Sequence, residues 1–335
     1  MDEKPFVSVI MPIRNEADFI VRSLGAVLAQ DYPPHRMEIL VADGMSMDAT
    51  RDIVAQTALR RKEIPVIVVD NPGRIVPTGI NAALRQAKGD IIVRVDGHTI
   101  IDPAYVSECV SALARSGADN VGGRMIPQGT TPFGQAVALA TSSPFGVGGG
   151  RFHYSDKEEW VDTVYMGAWP RFVFERIGNF DEELVRNQDD EFNYRLLAHG
   201  GKILLSDRIL SKYYNRSSLR TLWRQYFQYG YWKIRVMQKH PGQMRFRQFV
   251  PPLFVGGIVV GLVLQPFSGL VRLLWLLGVA LYIVANLAAS AYIAARSGWP
   301  HMRWLPVIFA TLHLSYGSGF LLGLINFANR WQARK

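Results

Sequence analysis

Cysteine is almost missing: Cys109 is the single one in 335 residues. An intrachain disulfide and a zinc site built on paired thiolates are both excluded, and the usage fits a reducing compartment. No G-x-G-x-x-G follows the first apolar strand, which removes the fingerprint of NAD or FAD binding. No signal peptide is expected in Met1 to Asp18. The apolar run from Val7 to Ile13 is too short, is broken by Pro12 and has no small-residue cleavage site, so the N-terminal part is expected to stay in the cytoplasm. Acidic residues are in the minority, 28 against 37 Lys and Arg, leaving a net charge of +9. That sign favours polyanionic partners: nucleotide phosphates, an anionic membrane face or nucleic acid.

What the chain does have is apolar sequence, 49% of its residues, concentrated towards the C-terminus. Its length suits one or two domains with a sizeable core. Strands are expected at Phe6 to Ile13, Met37 to Ala42, Ile64 to Val69, Asp90 to Asp96 and Asn120 to Met125. Helices are expected between them, at Glu16 to Gln30, from near Asp48, and at Pro77 to Ala87. Alternation at this spacing predicts an α/β fold with a mostly parallel, doubly wound, Rossmann-like sheet.

Ligands of such sheets bind beyond the carboxyl ends of the strands. Here those ends are polar: Arg14, Asn15 and Glu16, then Asp43, then Asp70, then Asp96. A carboxylate at a strand end accepts from a base-ring N–H such as uracil N3–H. Asp96-Gly97-His98 puts an acid and an imidazole one residue apart around a glycine that lets the backbone turn tightly. That arrangement can grip one divalent cation against a diphosphate; a turn carrying a solvated Asp and an ordinary His is the plainer reading. Farther on, Asp189, Asp190 and Glu191 head a helix that ends near Gly200. The helix dipole accounts for one or two of these acids. Adjacent like charges raise one another's pKa, which suits a proton acceptor.

From about Arg216 the composition changes. Arg220, Arg224, Lys233, Arg235, Lys239, Arg245 and Arg247 alternate with Trp223, Tyr226, Phe227, Tyr229, Tyr231 and Trp232, which reads as an amphipathic stretch lying on an anionic membrane surface. Because the sequence after it is apolar, nucleic acid is not the expected partner. Three apolar segments follow, about 251–266, 270–295 and 305–327. A span needs roughly 20 residues, which the second and third supply; the first is short and bounded by prolines. Three spans would leave Arg330, Arg334 and Lys335 outside, against the positive-inside tendency.

The motifs together resemble the family 2 glycosyltransferases of GT-A fold, and within them the membrane-attached ExoA-type transferases of exopolysaccharide assembly. The likeness runs from about Phe6 to Pro241. It rests on Ser8 to Glu16, Asp43-Gly44-x-Ser46-x-Asp48-x-Thr50, Gly79-x-Asn81-x-Ala83-Leu84, Asp96-Gly97-His98, Gly178-x-Phe180-Asp181-Glu182, and Asp189 with Arg195-Leu196. The resemblance implies that Pro12, Arg14, Asn15, Glu16, Asp43, Arg74, Gly79, Asn81 and Asp96 bind a nucleotide-sugar. It implies that Asp96 and His98 hold Mn²⁺ or Mg²⁺, and that Asp189, or else Asp190 or Glu191, is the general base. Gln228, Tyr229, Tyr231 and Trp232, together with Trp169, would contact the acceptor.

This chain departs from the family pattern in three places. His98 stands where the metal motif has Asp, Gln188 where the base motif has Glu, and Tyr231 where processive synthases have Arg. The expected function is inverting transfer of a hexose from a UDP-sugar to a polyprenyl-diphosphate-linked sugar, by a multi-pass protein of the cytoplasmic membrane with its catalytic domain inside. A polyprenyl-phosphate glycosyltransferase, a processive synthase and a non-enzymatic nucleotide-sugar-binding scaffold are the rival readings. The expected division is a catalytic domain at 1–215, interface helices at 216–250, spans within 251–328 and a basic tail at 329–335.

Overall fold

The structure, a computed structural model, describes residues 4–215 and 218–331. The chain divides into two compact units, one of residues 1–126 and 151–213, the other of residues 127–150 and 214–335. The segment 127–150 therefore leaves the expected catalytic domain for the second unit. Arg216, Arg334 and Lys335 lie outside the described residues.

In the first unit, β1 (Val7–Ile13), β2 (Met37–Asp43), β3 (Val66–Asp70) and β4 (Ile91–Arg94) alternate with α1 (Ile20–Leu28), α2 (Thr50–Ala58) and α3 (Val76–Leu84). Every residue of β1 and β2 is buried, so both sheet faces carry a core. Val9, Met11, Ile39 and Val41 face one cluster with Leu24 and Val27 of α1. Ile10, Leu40 and Ala42 face another with Ile80 of α3 and Phe192. The period-two alternation of side chains makes this division, and burial on both faces is why these strands read as continuous apolar runs.

The remaining elements of this unit are β5 (Thr99–Ile101), α4 (Tyr105–Ser116), β6 (Asn120–Gln128), β7 (Glu159–Trp160), β8 (Tyr165–Pro170), α7 (Phe172–Ile177), α8 (Gln188–Ala198) and β9 (Ile203–Tyr214). The strand order is β3-β2-β1-β4-β8-β6-β9-β5, with β7 beside β9. β1 to β4 pair in parallel, whereas β8 pairs antiparallel with β4 and with β6. Only half of the sheet is therefore parallel and doubly wound, and the other half is antiparallel. β1 leads on to β2 at one side and has β4 at the other, so the switch point of the sheet lies between the carboxyl ends of β1 and β4.

Pro12 is strand, not loop, and pairs with Ala42 of β2. Its missing N–H costs nothing there. Val95 donates to the Ile10 carbonyl, so alternate residues Ile10 and Pro12 turn their polar groups towards β4, whose pairing ends at Ile10. Proline removes a donor where the ladder has already stopped.

The second unit holds α5 (Pro132–Thr141), α6 (Pro144–Val147), α9 (Leu219–Lys239), α10 (Val250–Leu264), α11 (Gly269–Ser297) and α12 (Leu305–Asn326). Three helical stretches, Phe246–Leu264, Gly269–Ser297 and Leu305–Asn326, are long and apolar enough to cross a membrane. Only 6% of the α11 window is buried, against 50% for α12. Leu273, Leu274, Leu277, Leu281 and Val284 of α11 are exposed, a continuous apolar surface of the kind that lipid covers.

α12 is the hub. Small residues let backbones approach it: a Cβ at Gly319 would collide with the Phe227 carbonyl of α9, one at Gly323 with Tyr231, and one at Gly317 with Pro251 of α10. On α9, Gly230 faces Tyr316 in the same way. The basic, aromatic stretch is thus committed to a packing contact. Its helix packs along α12, and Lys233 and Arg235 are buried.

Candidate active site

Three loops meet at the carboxyl ends of β1, β2 and β4. Asn15 donates its amide to Ser46 Oγ at 2.8 Å and accepts from the Met47 amide at 2.9 Å. The Glu16 amide donates to Thr50 Oγ1 at 2.8 Å, and Asp48 accepts from the Thr50 and Ala17 amides. Ser23 Oγ, at the start of α1, donates to the Gly97 carbonyl at 2.6 Å. Gly97 has no room for a side chain, since a Cβ would stand 2.9 Å from Ile13 Cγ2 and 3.1 Å from Glu16 Cγ. Among the described residues, five non-glycine residues have left-handed backbone: Asn15, Met45, Arg74, Met166 and Asn187. All lie in these loops, at the end of β3, beneath Asp96 or just before Asp189. Such strain gathers where surrounding structure over-determines a functional loop.

β4 ends at Arg94, and Asp96 stands two residues beyond it. The buried Arg94 side chain, 4% exposed, donates from Nε to Asp96 Oδ1 at 2.8 Å and from Nη1 to Asp189 Oδ1. One guanidinium therefore brings together two carboxylates 93 positions apart in sequence, one beyond β4 and one at the head of α8. Tyr165 of β8 lies against Asp96 Oδ2 at 3.4 Å and shares a 2.7 Å hydrogen bond with Thr99. The Asp96 amide rests on Met166 Sδ.

Burial pushes the Asp189 carboxyl up to about 6, and the Asp96 and Asp190 charges push the same way while Arg94 opposes them. Burial by itself would depress Arg94, but Asp189 and Asp96 outweigh it and hold the guanidinium charged. Burial, with Asp96 adding to it, raises Tyr165 well above its ordinary value, so its hydroxyl stays protonated.

His98 turns Nδ1 towards Glu16 Oε1, 3.1 Å away, and its ring lies edge-on to Tyr213. A carboxylate on one imidazole nitrogen fixes the tautomer and leaves Nε2 as the donor, the arrangement that orients metal-ligating histidines. Among the described residues no three His, Cys, Asp or Glu side chains form a cation cluster. Were Asp96 and His98 both to hold a cation, the set would be one carboxylate and one imidazole, which suits Mn²⁺ better than Mg²⁺. Two such ligands would leave most of a coordination shell to others.

Several residues expected at the nucleotide make contacts within the frame. Asp43 is fully buried, with both oxygens taken by Ser46 and by Arg51 Nε at 2.6 Å. Arg51 also reaches Asp70 at 2.5 Å, so a partly exposed guanidinium links the buried carboxylate at one strand end to the exposed one at the other. Asn81 donates to the Phe180 carbonyl and to Glu182, and accepts from the Phe180 amide, which ties the Gly178–Glu182 turn to α3. Gly79 is needed for packing, because a Cβ would meet Asn71 Nδ2 at 2.8 Å. Arg14, Asn15 and Arg74 remain exposed at the loop tips.

Of the three acids, Glu191 is 3% exposed and faces inward in an ion pair with Arg195, whose guanidinium also donates to the Ile177 and Asn179 carbonyls. It braces α8 and is not available as a base. Asp190 is partly buried on the same first turn. Trp169 is 2% exposed, enclosed by Phe174, Phe180 and Phe192, and belongs to the core, not to an acceptor surface. Gln228, Tyr229, Tyr231 and Trp232 all lie on α9 in the second unit; Tyr231 and Trp232 pack on Phe327, and the Tyr231 hydroxyl accepts from Asn326.

Sequence reasoning missed Arg94, Arg51 and Tyr165. Arg94 had a signal: a lone cation in an otherwise apolar strand, two residues before Asp96 and so on the same strand face. Tyr165 had none.

Residues 8–178, about half of the chain, match the model of the family described as "Glycosyl transferase family 2". "Succinoglycan biosynthesis protein ExoA" of Rhizobium meliloti is 29% identical over 96% of both chains. The dolichyl N-acetyl-alpha-D-glucosaminyl phosphate 3-beta-D-2,3-diacetamido-2,3-dideoxy-beta-D-glucuronosyltransferase of Methanococcus voltae is 26% identical over 96% of this chain and 97% of its own. Among solved structures, the mannosyltransferase PcManGT from Pyrobaculum calidifontis, in complex with GDP-Man and Mn²⁺, superposes with a TM-score of 0.62. It is 19% identical and covers 97% of this chain and 88% of its own, a likeness of fold.

Proposed function

Because the chain belongs to glycosyl transferase family 2, we propose that it is a cation-dependent, inverting hexosyltransferase that uses a UDP-sugar and a polyprenyl-diphosphate-linked sugar acceptor in exopolysaccharide assembly. The observation that carries this reading is the pair of carboxylates, Asp96 and Asp189, held on one buried guanidinium at the switch point of the sheet.

In this reading the loops at Arg14 to Glu16, at Met45 to Asp48 and around Arg74 receive the nucleotide. Arg51, bridging Asp43 and Asp70, offers donors to the carbonyl oxygens of the base. Asp96 and His98 would hold the cation, which when bound supplies charge neutralisation to the leaving diphosphate. Asp189 spends Oδ1 on Arg94 and has Oδ2 for the acceptor. As the acceptor oxygen bonds to the anomeric carbon, its proton passes to Asp189 while the bond from that carbon to the diphosphate oxygen breaks on the opposite face. A single displacement of this kind inverts the anomeric centre and needs no covalent intermediate.

The three candidate spans favour an acceptor that itself resides in a bilayer. The names of the relatives in Rhizobium meliloti and Methanococcus voltae, which speak of succinoglycan and of a dolichyl-linked sugar, support a lipid-linked glycan. The reading places the chain in the cytoplasmic membrane with its sheet domain inside.

The test is a panel of nucleotide sugars, UDP-linked and GDP-mannose, scored for Mn²⁺-dependent nucleotide release with and without lipid-linked sugar. Release from a UDP-hexose stimulated by the lipid-linked sugar is expected. Nucleotide binding with no turnover on any donor would reduce the protein to a binding scaffold. Turnover by Asp189→Asn at near-normal rates would point to a lipid phosphate acceptor, a nucleophile that needs no base.

A further inference from the structure

A buried arginine between two functional carboxylates does more than balance charge. Arg94 sits in β4 with its guanidinium enclosed, Nε on Asp96 and Nη1 on Asp189. The two nitrogens share one carbon, so the carboxylates they hold must stand close together. Asp96 is 14% exposed and Asp189 is 30% exposed, so solvent reaches the pair although not the arginine. Without the guanidinium, two adjacent carboxylates on a half-enclosed floor would form a strong trap for any divalent cation.

We infer that Arg94 is a positioning residue that fills, in the enzyme without donor, the place between Asp96 and Asp189 that a cation would otherwise take. Divalent metal is then admitted to Asp96 and His98 only together with a nucleoside diphosphate. The inference rests on the transferase reading for the role of Asp96, and on the geometry alone for the role of Arg94.

The chemistry supports the order. A bare cation entering beside Arg94 meets a fixed positive charge within a few ångströms and a carboxylate whose oxygens already face Arg94 and Tyr165. A cation arriving on a diphosphate brings negative charge that offsets that repulsion, and it needs few protein ligands, which is what Asp96 and His98 supply. Arg94 meanwhile keeps its hold on Asp189, so the proton acceptor does not turn towards the metal. A carboxylate drawn onto the cation would lose the lone pair it needs for the acceptor hydroxyl.

The experiment is Mn²⁺ binding to the full-length, detergent-solubilised protein, read as loss of the free-Mn²⁺ electron paramagnetic resonance signal, with and without UDP. Wild type is expected to bind Mn²⁺ alone weakly, and at least tenfold more tightly once UDP is present. Arg94→Met is expected to bind Mn²⁺ alone at least tenfold more tightly than wild type. Arg94→Lys, which restores the charge, should return to the wild-type value, and so should the double variant of Arg94→Met with Asp189→Asn, which removes one arm of the trap. Arg94→Gln, with no charge but a polar amide in the same space, carries the same expectation as Arg94→Met should the latter misfold.

A residue that served only the fold would lose cation binding along with structure and would never gain it. Equal or weaker Mn²⁺ binding by the uncharged variants overturns the inference. So does wild type binding Mn²⁺ alone as tightly as with UDP, a result that needs no variant. If wild type fails to bind UDP at all, the transferase reading falls, while the comparison of Mn²⁺ affinities without nucleotide still decides the role of Arg94.

Discussion

Asp189 is a carboxylate pulled in two directions. Burial and the neighbouring Asp96 and Asp190 favour its neutral form, Arg94 favours its charged form, and the balance leaves it near pH 6. A proton acceptor must be ionised, so nucleotide release should climb as the pH rises through about 6 and level off above it. Steady-state turnover from pH 5 to 8 checks this, and a flat profile across that range would remove Asp189 from the role. Asp189→Asn should lose the rising limb and about 10² to 10⁴ in rate, the usual worth of a positioned base, while UDP binding stays. The same shift has a consequence for stability. The folded protein holds this proton more tightly than the unfolded chain does, so the contribution is present at low pH and is lost as pH rises through about 6. At this scale the sequence marked Asp96, His98 and Asp189 by residue type and spacing. It did not separate Asp189 from Glu191, because only the direction each side chain takes off the first turn of α8 does that: one meets Arg94, the other Arg195.

Among the elements, α9 and α12 show how little a pattern of charge says about packing. Alternating basic and aromatic residues made α9 look like a surface helix. What decides its place is a set of small residues: Gly230 on α9, and Gly319 and Gly323 one turn apart on α12, where any Cβ would strike the opposing backbone. Small-residue stripes of this kind let helices approach closely in lipid, where apolar burial provides no drive. Gly319→Leu should therefore force the two helices apart. The checks are thermal unfolding in detergent and trypsin cleavage at the arginines and lysines of α9. An unchanged melting temperature and digestion pattern would refute the account. The sheet taught the same lesson in reverse: its parallel half was legible because strands buried on both faces read as apolar runs. Of the antiparallel half only β6 was legible; β5 and β7, with three and two residues, have too little sequence to show a period.

For the molecule as a whole, the apolar belt of α10 and α11 is the dominant surface feature. At 1.5 Å per residue the 29 residues of α11 reach roughly 43 Å, more than the ~30 Å of a hydrocarbon core, so in crossing one the helix would tilt or project beyond it. Membranes carrying the protein should retain it through alkaline carbonate extraction. Its appearance in the supernatant would mean that these helices pack on protein rather than lipid. The division into two units also departs from the order of the chain: residues 127–150 were expected with the sheet and cluster instead with the apolar helices. Composition and local pattern, the properties that each segment carries in itself, sufficed for the class of the fold, the strand-end loops and the three apolar segments. That Asp189 pairs with Arg94, and which glycines are contact points between helices, depended on residues tens to a hundred positions apart. Those choices are made by packing, and a linear sequence holds no record of distance until the chain has closed on itself.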